Sequence, residues 1–400
     1  MFAPQAEGGH PRYVRELMTS LACQPDSGYR FEWVSTEDLE EQFKSDQYTV
    51  HTALPRLRRR HEFATPLHWA ASRLLYYPRR ELAFLEYLKT RPDIIAVHFQ
   101  EWKPWLAATL FRQIKKLGKK VFYTVHNIQP HNYPKFLPRS VLNGWIRKGC
   151  LECDGLFVLT GQLKGRLSEF LGQPHPPIRV TPHGVWTVDD FAQDLTVEER
   201  LEKKRLLFFG SIRRNKGLDL LLRAAVDLPG FGITIAGPPD EKVYVQTEIL
   251  PRIKSLREAG MNIDLFDRFV PDNEVGRIFT SHSAIVLPYT KSFMAQSGVA
   301  FMALAYELPM IASEAGGLRD LMNEFKVGVT FADYTPVGLA NAVRSLYAGG
   351  RPADLAAQIR AARNHYSWDA AARETIAGYR TVLQGRREQD SDALCTTAAR

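Results

Sequence analysis

The amino-acid sequence predicts an α/β protein of two doubly wound, Rossmann-like domains that face each other across a cleft. Its 400 residues are too many for one ordinary hydrophobic core and suit two domains of about 150–200 residues each. Short β-branched and aromatic runs alternate with amphipathic helical stretches along the chain, which is typical of βαβ units in parallel sheets. A charged and polar stretch near the middle divides these runs into two series, one for each domain.

The first series predicts a domain over residues 1–186. Strands are expected at Tyr29–Val34, Asp93–Phe99, Lys120–Val125, Gly155–Leu159 and Ile178–Thr181. Helices are expected between them, for example at Trp105–Leu117 and Val141–Leu151. In such folds ligands bind at the carboxyl ends of the strands, so residues that directly follow a strand are the first candidates for function.

The second series follows a predicted linker over residues 187–204 and forms a predicted domain over residues 205–366. Strands are expected at Arg205–Phe209, Gly232–Ala236, Asn262–Phe266, Ala284–Leu287 and Met310–Ala312. Helices are expected at Leu218–Val226, Asn273–Thr280, Val299–Tyr306, Leu318–Glu324 and Ala353–Asn364. A closing C-terminal helix is predicted over residues 367–385, and residues 386–400 are expected to form a frayed tail.

The composition predicts a globular protein of the cytoplasm. Hydrophobic residues make up 45% and charged residues 24% of the chain, which is ordinary for globular domains. No apolar run reaches the length of about 18 residues that a membrane-spanning helix needs, and the N-terminus lacks the regions of a signal peptide. The four cysteines suit a reducing compartment. Cys150 and Cys153 have CxxC spacing without a second pair, so we expect plain burial rather than a metal or redox site.

Positive charge is concentrated in the first domain. Residues 1–186 carry 26 Lys and Arg against 17 Asp and Glu, whereas residues 187–400 carry 26 against 27. No zinc finger, helix-turn-helix or aromatic-basic RNA motif accompanies this charge, so no nucleic acid is expected as a partner. Two interpretations stay open: the cations attract a phosphate-bearing ligand or an anionic membrane surface, or they form ordinary solvated faces.

The turn after the first strand of the second domain is the richest chemical motif. Gly210 and Gly217 enclose Arg213, Arg214 and Lys216, and an apolar helix begins directly after them. Such a turn places cations at the carboxyl edge of a strand, beside a helix N-terminus that also favours anions. The spacing is neither that of a Walker loop nor that of a GxGxxG fingerprint. A diphosphate site and an ordinary charged loop are therefore both open.

Two further groups of candidate residues follow predicted strands. Ser297, Gly298 and Val299 stand between a polar loop and an apolar helix, where Ser297 predicts an N-cap with exposed amides. His126 follows a predicted strand of the first domain and His98, a weaker candidate, stands at the carboxyl end of another, and for both the alternative is burial in the core. The sequence has neither HExxH-type spacing nor a GxSxG elbow, so no metal site and no catalytic triad are expected.

These segments together resemble glycosyltransferase family four, whose members have the GT-B fold and include many enzymes of bacterial polysaccharide assembly. In chain order the resembling segments are the glycine-rich loop at 3–10, the His-Asn motif at 124–127, the segment before the linker at 181–185, the diphosphate-binding turn at 209–219, the segment near the nucleotide base at 269–275 and the closing helix from 367. The collinear order covers nearly the whole chain.

The resemblance implies a function and assigns the candidate residues. The second domain would bind a nucleoside diphosphate sugar and the first domain the acceptor. Lys216 and Arg213 would neutralise the diphosphate, and His126 would contact the transferred sugar near the reacting carbon. The remaining implied donor-binding residues are Gly8, Gly9, Val270, Ser297, Gly298 and Val299. The resemblance further implies no cofactor, no metal and no separate base, because the donor phosphate would take the acceptor proton with retention of anomeric configuration.

The chain departs from the family pattern in three places. Met294 and Met302 stand where the family carries two glutamates, which leaves donor specificity and retention open. Ser211 stands where an arginine is usual, so its role is assigned to Arg213. The chain begins almost at the glycine-rich loop, so the first strand of the first domain is expected to be nearly missing.

The preferred hypothesis is metal-independent sugar transfer to a polyprenyl-diphosphate-linked glycan, by a cytoplasmic protein bound peripherally to the inner membrane face. The cationic first domain favours such an acceptor, because anionic lipid attracts basic surfaces. Two alternatives stay open: a soluble transferase that glycosylates a small molecule, and a GT-B protein that binds a nucleotide sugar or a partner transferase without turnover.

Overall fold

The computed structural model describes residues 1–4, 9–58, 62–129, 137–188, 195–293, 296–348 and 352–397, which fall into two compact units. The first unit comprises Met1–Gly184 together with Trp368–Arg400, and the second comprises Val185–Ser367. The C-terminal helix therefore belongs to the first unit, although the sequence placed it after the second domain. The predicted linker at 187–204 belongs to the second unit, and its residues 189–194 lie outside the described part of the chain.

The first unit alternates strands and helices. Its strands are β1 (Glu32–Thr36), β2 (Thr49–Leu54), β3 (Ala96–Phe99), β4 (Lys120–Val125), β5 (Gly155–Val158) and β6 (Ile178–Val180). Its helices before Gly184 are α1 (Gly9–Ala22), α2 (Pro66–Lys89), α3 (Pro104–Lys116), α4 (Arg139–Glu152) and α5 (Gly161–Leu171). The strand expected from Asp93 begins only at Ala96, because Asp93 accepts hydrogen bonds from the Arg91 side chain in the preceding turn.

Two groups of parallel strands in the first unit are connected by Phe2. β1 pairs with β2, and β3, β4, β5 and β6 pair in that order. Phe2 forms parallel bridges with Val34 of β1 and Phe99 of β3, and so connects the two groups. The Met1 ammonium donates to the Glu32 carbonyl (2.6 Å). The first strand, expected to be nearly missing, is thus reduced to one bridging residue among the described positions.

The second unit contains a six-stranded parallel sheet. Its strands are β7 (Arg205–Phe209), β8 (Gly232–Ala236), β9 (Ile263–Phe266), β10 (Ala284–Leu287), β11 (Met310–Ser313) and β12 (Gly328–Phe331). Its helices are α6 (Val197–Glu202), α7 (Leu218–Ala224), α8 (Lys242–Tyr244), α9 (Leu250–Glu258), α10 (Asp272–Thr280), α11 (Gly298–Ala305), α12 (Leu318–Phe325), α13 (Pro336–Tyr347) and α14 (Pro352–His365).

The strand order of the second sheet fixes where a site can form. The order is β12-β11-β10-β7-β8-β9, with all strands parallel, so the winding direction reverses between β7 and β10. Ligands of doubly wound sheets bind at the carboxyl ends of the two strands that flank this switch point. The predicted fold class is confirmed in the second unit, and the cationic turn after β7 lies at this position.

Several elements were not predicted from the sequence. α1 begins at Gly9, inside the segment expected to be a glycine-rich loop, while Gly8 lies outside the described residues. α2 has Pro78 in its interior and several exposed leucines, which obscure the amphipathic period. β1 is displaced from the predicted Tyr29–Val34, because pairing with β2 and Phe2 sets its register. β2, α5, β12 and α13 were also missed.

The C-terminal helix α15 (Trp368–Thr397) packs on the sheet of the first unit. Its Tyr379 ring is buried, with ring centroids 4.8 Å from Phe122 and 5.7 Å from Phe157. The Tyr379 hydroxyl hydrogen-bonds Nδ1 of His98 (2.5 Å). The sequence predicted an end of this helix at residue 385 and a tail over 386–400, whereas the helix continues through Thr397.

Candidate functional site

Two glycines fix the turn after β7. Gly210 (φ +105°) and Gly217 (φ +68°) adopt positive φ angles, and Gly217 precedes the first residue of α7. A Cβ atom on Gly217 would lie 1.9 Å from the carbonyl oxygen of Pro288, the residue after β10. Close by, the Thr290 N–H donates to the Asn215 carbonyl (3.1 Å). The turn after β7 and the loop after β10 are therefore packed directly against each other.

The three cations of this turn have different partners. Arg213 donates from Nε to Oδ2 of Asp240 (2.8 Å), and Arg214 forms an ion pair with Glu248. Asp240 thus competes with any bound diphosphate for Arg213, a contact that the sequence did not indicate. Lys216 has no carboxylate partner among the described residues. The two predicted diphosphate cations therefore differ: Arg213 is already paired with a carboxylate, whereas no carboxylate of the described residues neutralises Lys216.

Aromatic rings hold the half-buried Lys216. Its Nζ lies 3.8 Å from the centroid of the Tyr289 ring and 4.3 Å from that of Phe293. Burial, together with the nearby charge of Arg213, lowers the pKa of the ammonium from 10.5 to about 7. An anion bound beside it would favour the charged form and raise this pKa. The arrangement suits a cation that takes up a proton when an anion binds.

The loop after β10 positions the start of α11. As predicted, Ser297 is the N-cap: its Oγ accepts the N–H of Ala300 (3.4 Å), and it shares a hydrogen bond with the Tyr289 hydroxyl (2.9 Å). The Gly298 carbonyl accepts a hydrogen bond from Nε1 of Trp186 in the same unit (2.7 Å). The cap is therefore anchored on both sides, which fixes the direction of the first amides of the helix.

The remaining donor-binding candidates lie at different distances from this turn. Val299 is a direct neighbour, since its Cγ2 is 3.3 Å from the position that a Cβ would take on Gly210. Val270 is buried between β9 and α10, and β9 lies two strands away from β7. Met302 lies within α11, whereas Met294 lies outside the described residues. The structure thus places Val299 next to the cationic turn, whereas Val270 follows a strand two positions away in the sheet.

In the first unit, His126 directly follows β4 and meets two side chains of α1. Its ring centroid lies 5.1 Å from those of His10 and Tyr13. Its Nε2 forms a hydrogen bond with Oε1 of Gln100 (3.0 Å), which assigns the proton to Nε2. Burial, aided by the neighbouring His10, holds the pKa of His126 well below its usual range. His126 is therefore a neutral imidazole at neutral pH: its Nε2–H is donated to Gln100, and its Nδ1 is a hydrogen-bond acceptor.

The other histidine candidate of this unit belongs to the core. His98 is buried, and its two ring nitrogens hydrogen-bond the Tyr379 hydroxyl (2.5 Å) and Oγ1 of Thr124 (2.7 Å). His183 is also buried and pairs through Nδ1 with the Gly184 carbonyl (2.6 Å). Core burial, the alternative that the sequence left open for His98, is therefore correct.

Two contacts of the candidate residues were missed from the sequence. Gln100 directly follows β3 as His126 follows β4, and neighbouring parallel strands end at one edge, so its position was a usable signal. Tyr289 stands two residues after β10 and contacts Lys216, which lies 73 positions earlier in the chain. The sequence around Tyr289 does not indicate that this ring contacts a lysine, because cation–π pairs between distant residues follow from tertiary packing.

The basic clusters of the first unit are largely neutralised within the protein. Arg80 is buried and forms an ion pair with Glu81. Lys119 donates from Nζ to two backbone carbonyls, and Lys120 pairs with Asp154 (2.8 Å). Arg79 is exposed on α2, whereas residues 59–61 lie outside the described part of the chain. The charge asymmetry therefore overstates the cationic surface that an outside partner meets.

The possible metal ligands and the CxxC pair of the described residues have the following positions. Over those residues, no three His, Cys, Asp or Glu side chains are placed to hold a metal ion. Cys150 and Cys153 are buried, which raises the pKa of both thiols, so the expected plain burial is confirmed. Among the same residues, no helix is both long and apolar enough to cross a bilayer.

Two family models match the chain. Residues 7–188 match the model described as Glycosyltransferase Family 4, and residues 203–349 match the model described as Glycosyl transferases group 1. The two matched segments follow the division of the chain into its two units.

The chain is also similar to individual proteins, in sequence or in fold. Over 188 residues, 46% of the chain, the sequence is 30% identical to the D-inositol 3-phosphate glycosyltransferase of Mycolicibacterium paratuberculosis, and the alignment spans 42% of that relative. The fold is similar to that of sucrose-phosphate synthase from Thermosynechococcus elongatus (TM-score 0.71, 18% identity, 96% of this chain and 98% of that chain covered). It is also similar to Anabaena HepE in complex with UDP (TM-score 0.69, 12% identity, 95% and 99% covered).

Proposed function

Since this chain belongs to the GT-B glycosyltransferases of family 4 and group 1, we propose that it transfers a sugar from a nucleoside diphosphate donor to an acceptor hydroxyl. The observation that carries the proposal is Lys216, a half-buried ammonium without a carboxylate partner among the described residues. It stands in the turn after β7, next to the switch point of the sheet. A cation held there suits the charge that develops on a leaving diphosphate.

The surrounding groups have distinct roles in this proposal. The amides at Ser297, Gly298 and Val299 supply hydrogen bonds to the phosphates or to the sugar hydroxyls. Neutral His126, whose Nε2–H is donated to Gln100, contacts the transferred sugar through Nδ1, which accepts a hydrogen bond from a sugar hydroxyl. The donor phosphate accepts the acceptor proton, so transfer proceeds with retention and needs no metal. Arg213 assists only after it exchanges Asp240 for the diphosphate.

Nucleotide binding tests this proposal directly. We expect UDP or ADP to bind at pH 7 with uptake of about half a proton, because the pKa of free Lys216 is about 7 and a bound anion raises it. The charged form is lost as pH rises through 7, so the affinity should fall about tenfold between pH 7 and pH 8.5. Phosphate ionisation, near pH 6, lies below this window. Isothermal titration calorimetry in two buffers of different ionisation enthalpy measures both quantities.

The control for this titration is Lys216→Met. This variant should bind more weakly and should show neither proton uptake nor a pH dependence over the same window. Failure of both nucleotides to bind the unmodified protein at millimolar concentration would contradict the proposed function. Binding with a flat pH profile would instead contradict the assignment of Lys216.

We further propose that the acceptor is carried by a lipid, namely a polyprenyl-diphosphate-linked glycan at an anionic membrane surface. Helix α2 supports this proposal through Leu67, Leu74, Leu75 and Leu82, which are 59–75% exposed. The spacing of seven and eight residues puts Leu67, Leu74 and Leu82 on one face of the helix, and exposed Arg79 lies beside that face, one turn from Leu75 and from Leu82. Residues 66–80 contain no carboxylate. Exposed leucines flanked by cations are typical of helices that lie in a membrane interface.

Vesicle flotation measures this contact. The protein should bind vesicles that contain phosphatidylglycerol and bind pure phosphatidylcholine less well, because anionic lipid attracts the cations. The double variant Leu74→Ser, Leu75→Ser should lose about tenfold or more in partitioning, since it removes two apolar side chains from the interface. The matched control is Val226→Ser, Val243→Ser, two residues of the second unit that are 68% and 73% exposed. Equal flotation of the leucine variant and the control would contradict the lipid contact.

A further inference from the structure

Tyr289 connects the turn after β7 with the start of α11, two segments that are separate motifs in the sequence. Its side chain is buried, and its ring face carries Lys216 Nζ at 3.8 Å from the ring centroid. Its hydroxyl hydrogen-bonds the Oγ of Ser297, the N-cap of α11 (2.9 Å). One side chain thus contacts both the cation of the turn after β7 and the start of the helix after β10.

The backbone around Tyr289 makes this placement rigid. Its carbonyl accepts a hydrogen bond from Oγ of Ser313 at the end of β11 (2.6 Å). Phe293 packs against the Tyr289 ring with centroids 4.4 Å apart and is the second ring near Lys216. The first contact fixes the Tyr289 backbone and the second packs its ring, so the buried side chain has little freedom to turn.

A lysine that is held by an aromatic ring differs in one respect from a lysine that is held by a carboxylate. A carboxylate would hold the ammonium by neutralising it, and a diphosphate would then have to displace that carboxylate. A ring face attracts the ammonium through its quadrupole and carries no net charge. Lys216 is therefore held in position without a counter-charge that a diphosphate would have to displace. Arg213, paired with Asp240, shows the opposite arrangement within the same turn.

We infer that Tyr289 is a positioning residue for diphosphate binding: its ring orients Lys216, and its hydroxyl ties that cation to the Ser297 cap. The ligand class is a nucleoside diphosphate, and the inference rests on the proposed function. Phe293 completes the aromatic support from the second side. Neither residue touches the reacting atoms in this assignment, since both act through Lys216.

The test is a double-mutant cycle between Tyr289 and Lys216, read out as the affinity for UDP and ADP by calorimetry. Tyr289→Leu removes the ring and should weaken binding about fivefold to tenfold. In a Lys216→Met background the same change should cost less than about twofold, because the ring then has no cation to orient. Tyr289→Phe keeps the ring and should stay within about threefold of the unmodified protein.

Tyr347 provides a matched control in the same unit. Its hydroxyl also hydrogen-bonds a serine, Ser283 (2.6 Å), and its ring also packs on a phenylalanine, Phe231 (4.9 Å). Tyr347→Leu should therefore lower the thermal unfolding midpoint in the same way as Tyr289→Leu but leave nucleotide affinity unchanged. An equal loss of nucleotide affinity in Tyr289→Leu and Tyr347→Leu would mean that general destabilisation causes the loss, and it would overturn the inference.

The cycle also separates the inference from the proposed function. A large loss for Lys216→Met with an equal cost of Tyr289→Leu in both backgrounds would overturn the positioning role and leave the proposed function standing. No loss for Lys216→Met would overturn the assignment of Lys216 in the proposed function, and the role of Tyr289 with it.

Discussion

Lys216→Met is expected to lower kcat/KM for sugar transfer about a thousandfold, the range found when a preorganised group that stabilises developing charge is removed. The leaving diphosphate gains negative charge as the glycosidic bond breaks, and Lys216 is the cation of its turn that no acidic residue neutralises among the described positions. Methionine has a similar length and packs well against aromatic rings, so the contacts with Tyr289 and Phe293 should survive. Initial rates of UDP or ADP release from the corresponding glucose donors measure the effect.

Lys254→Met serves as the control for this prediction. Lys254 lies on α9 and is largely exposed, and Glu258 is its ion-pair partner among the described residues (3.9 Å). Its replacement removes the same charge from the same unit and should leave the rate unchanged. A Lys216→Met enzyme that retained more than a tenth of the activity would show that the diphosphate is neutralised by other groups.

Gly217→Ala is expected to give the largest loss of stability, about 3 kcal/mol or more in the free energy of unfolding. Two effects add at this position: the backbone has φ +68°, and the new Cβ would lie 1.9 Å from the Pro288 carbonyl oxygen. The obstructing atom is backbone, so it cannot move aside as a side chain would. Urea unfolding followed by tryptophan fluorescence measures the loss, and nucleotide affinity should fall with it because the turn must shift.

Gly260→Ala isolates the backbone contribution. Gly260 has φ +86° in the same unit, and no atom lies within 4 Å of the position of its Cβ. This substitution should therefore cost only the conformational strain, about 1–2 kcal/mol. Equal losses at both glycines would mean that the contact between the turn and Pro288 adds nothing to stability.

Elements that depend on a few consecutive residues were predicted correctly from the sequence. The strands Lys120–Val125, Arg205–Phe209, Gly232–Ala236 and Ala284–Leu287 were found with the predicted bounds, because fully buried parallel strands are short apolar runs with polar ends. The N-cap at Ser297 was likewise visible in the sequence, since a cap depends on a few consecutive residues.

Features that depend on distant residues could not be predicted in this way. Nothing near Arg213 reveals its ion pair with Asp240, and nothing near Lys216 reveals the Tyr289 ring. The same is true of β1, whose register depends on Phe2. Such pairings follow from the order of strands in the finished sheet, and a periodicity within one segment contains no information about them.

The return of the chain to its first unit has a consequence for synthesis on the ribosome. The rings of Phe122 and Phe157 are covered by Tyr379, and a Cβ on the neighbouring Gly378 would approach the Phe157 ring to 2.4 Å. At about 5–20 residues per second, the nascent chain needs about 10–40 seconds between Gly184 and Tyr379. During that time an aromatic face of the emerging sheet is open to chaperones or to neighbouring nascent chains. A premature stop codon in the second unit would therefore also leave the first unit unfinished.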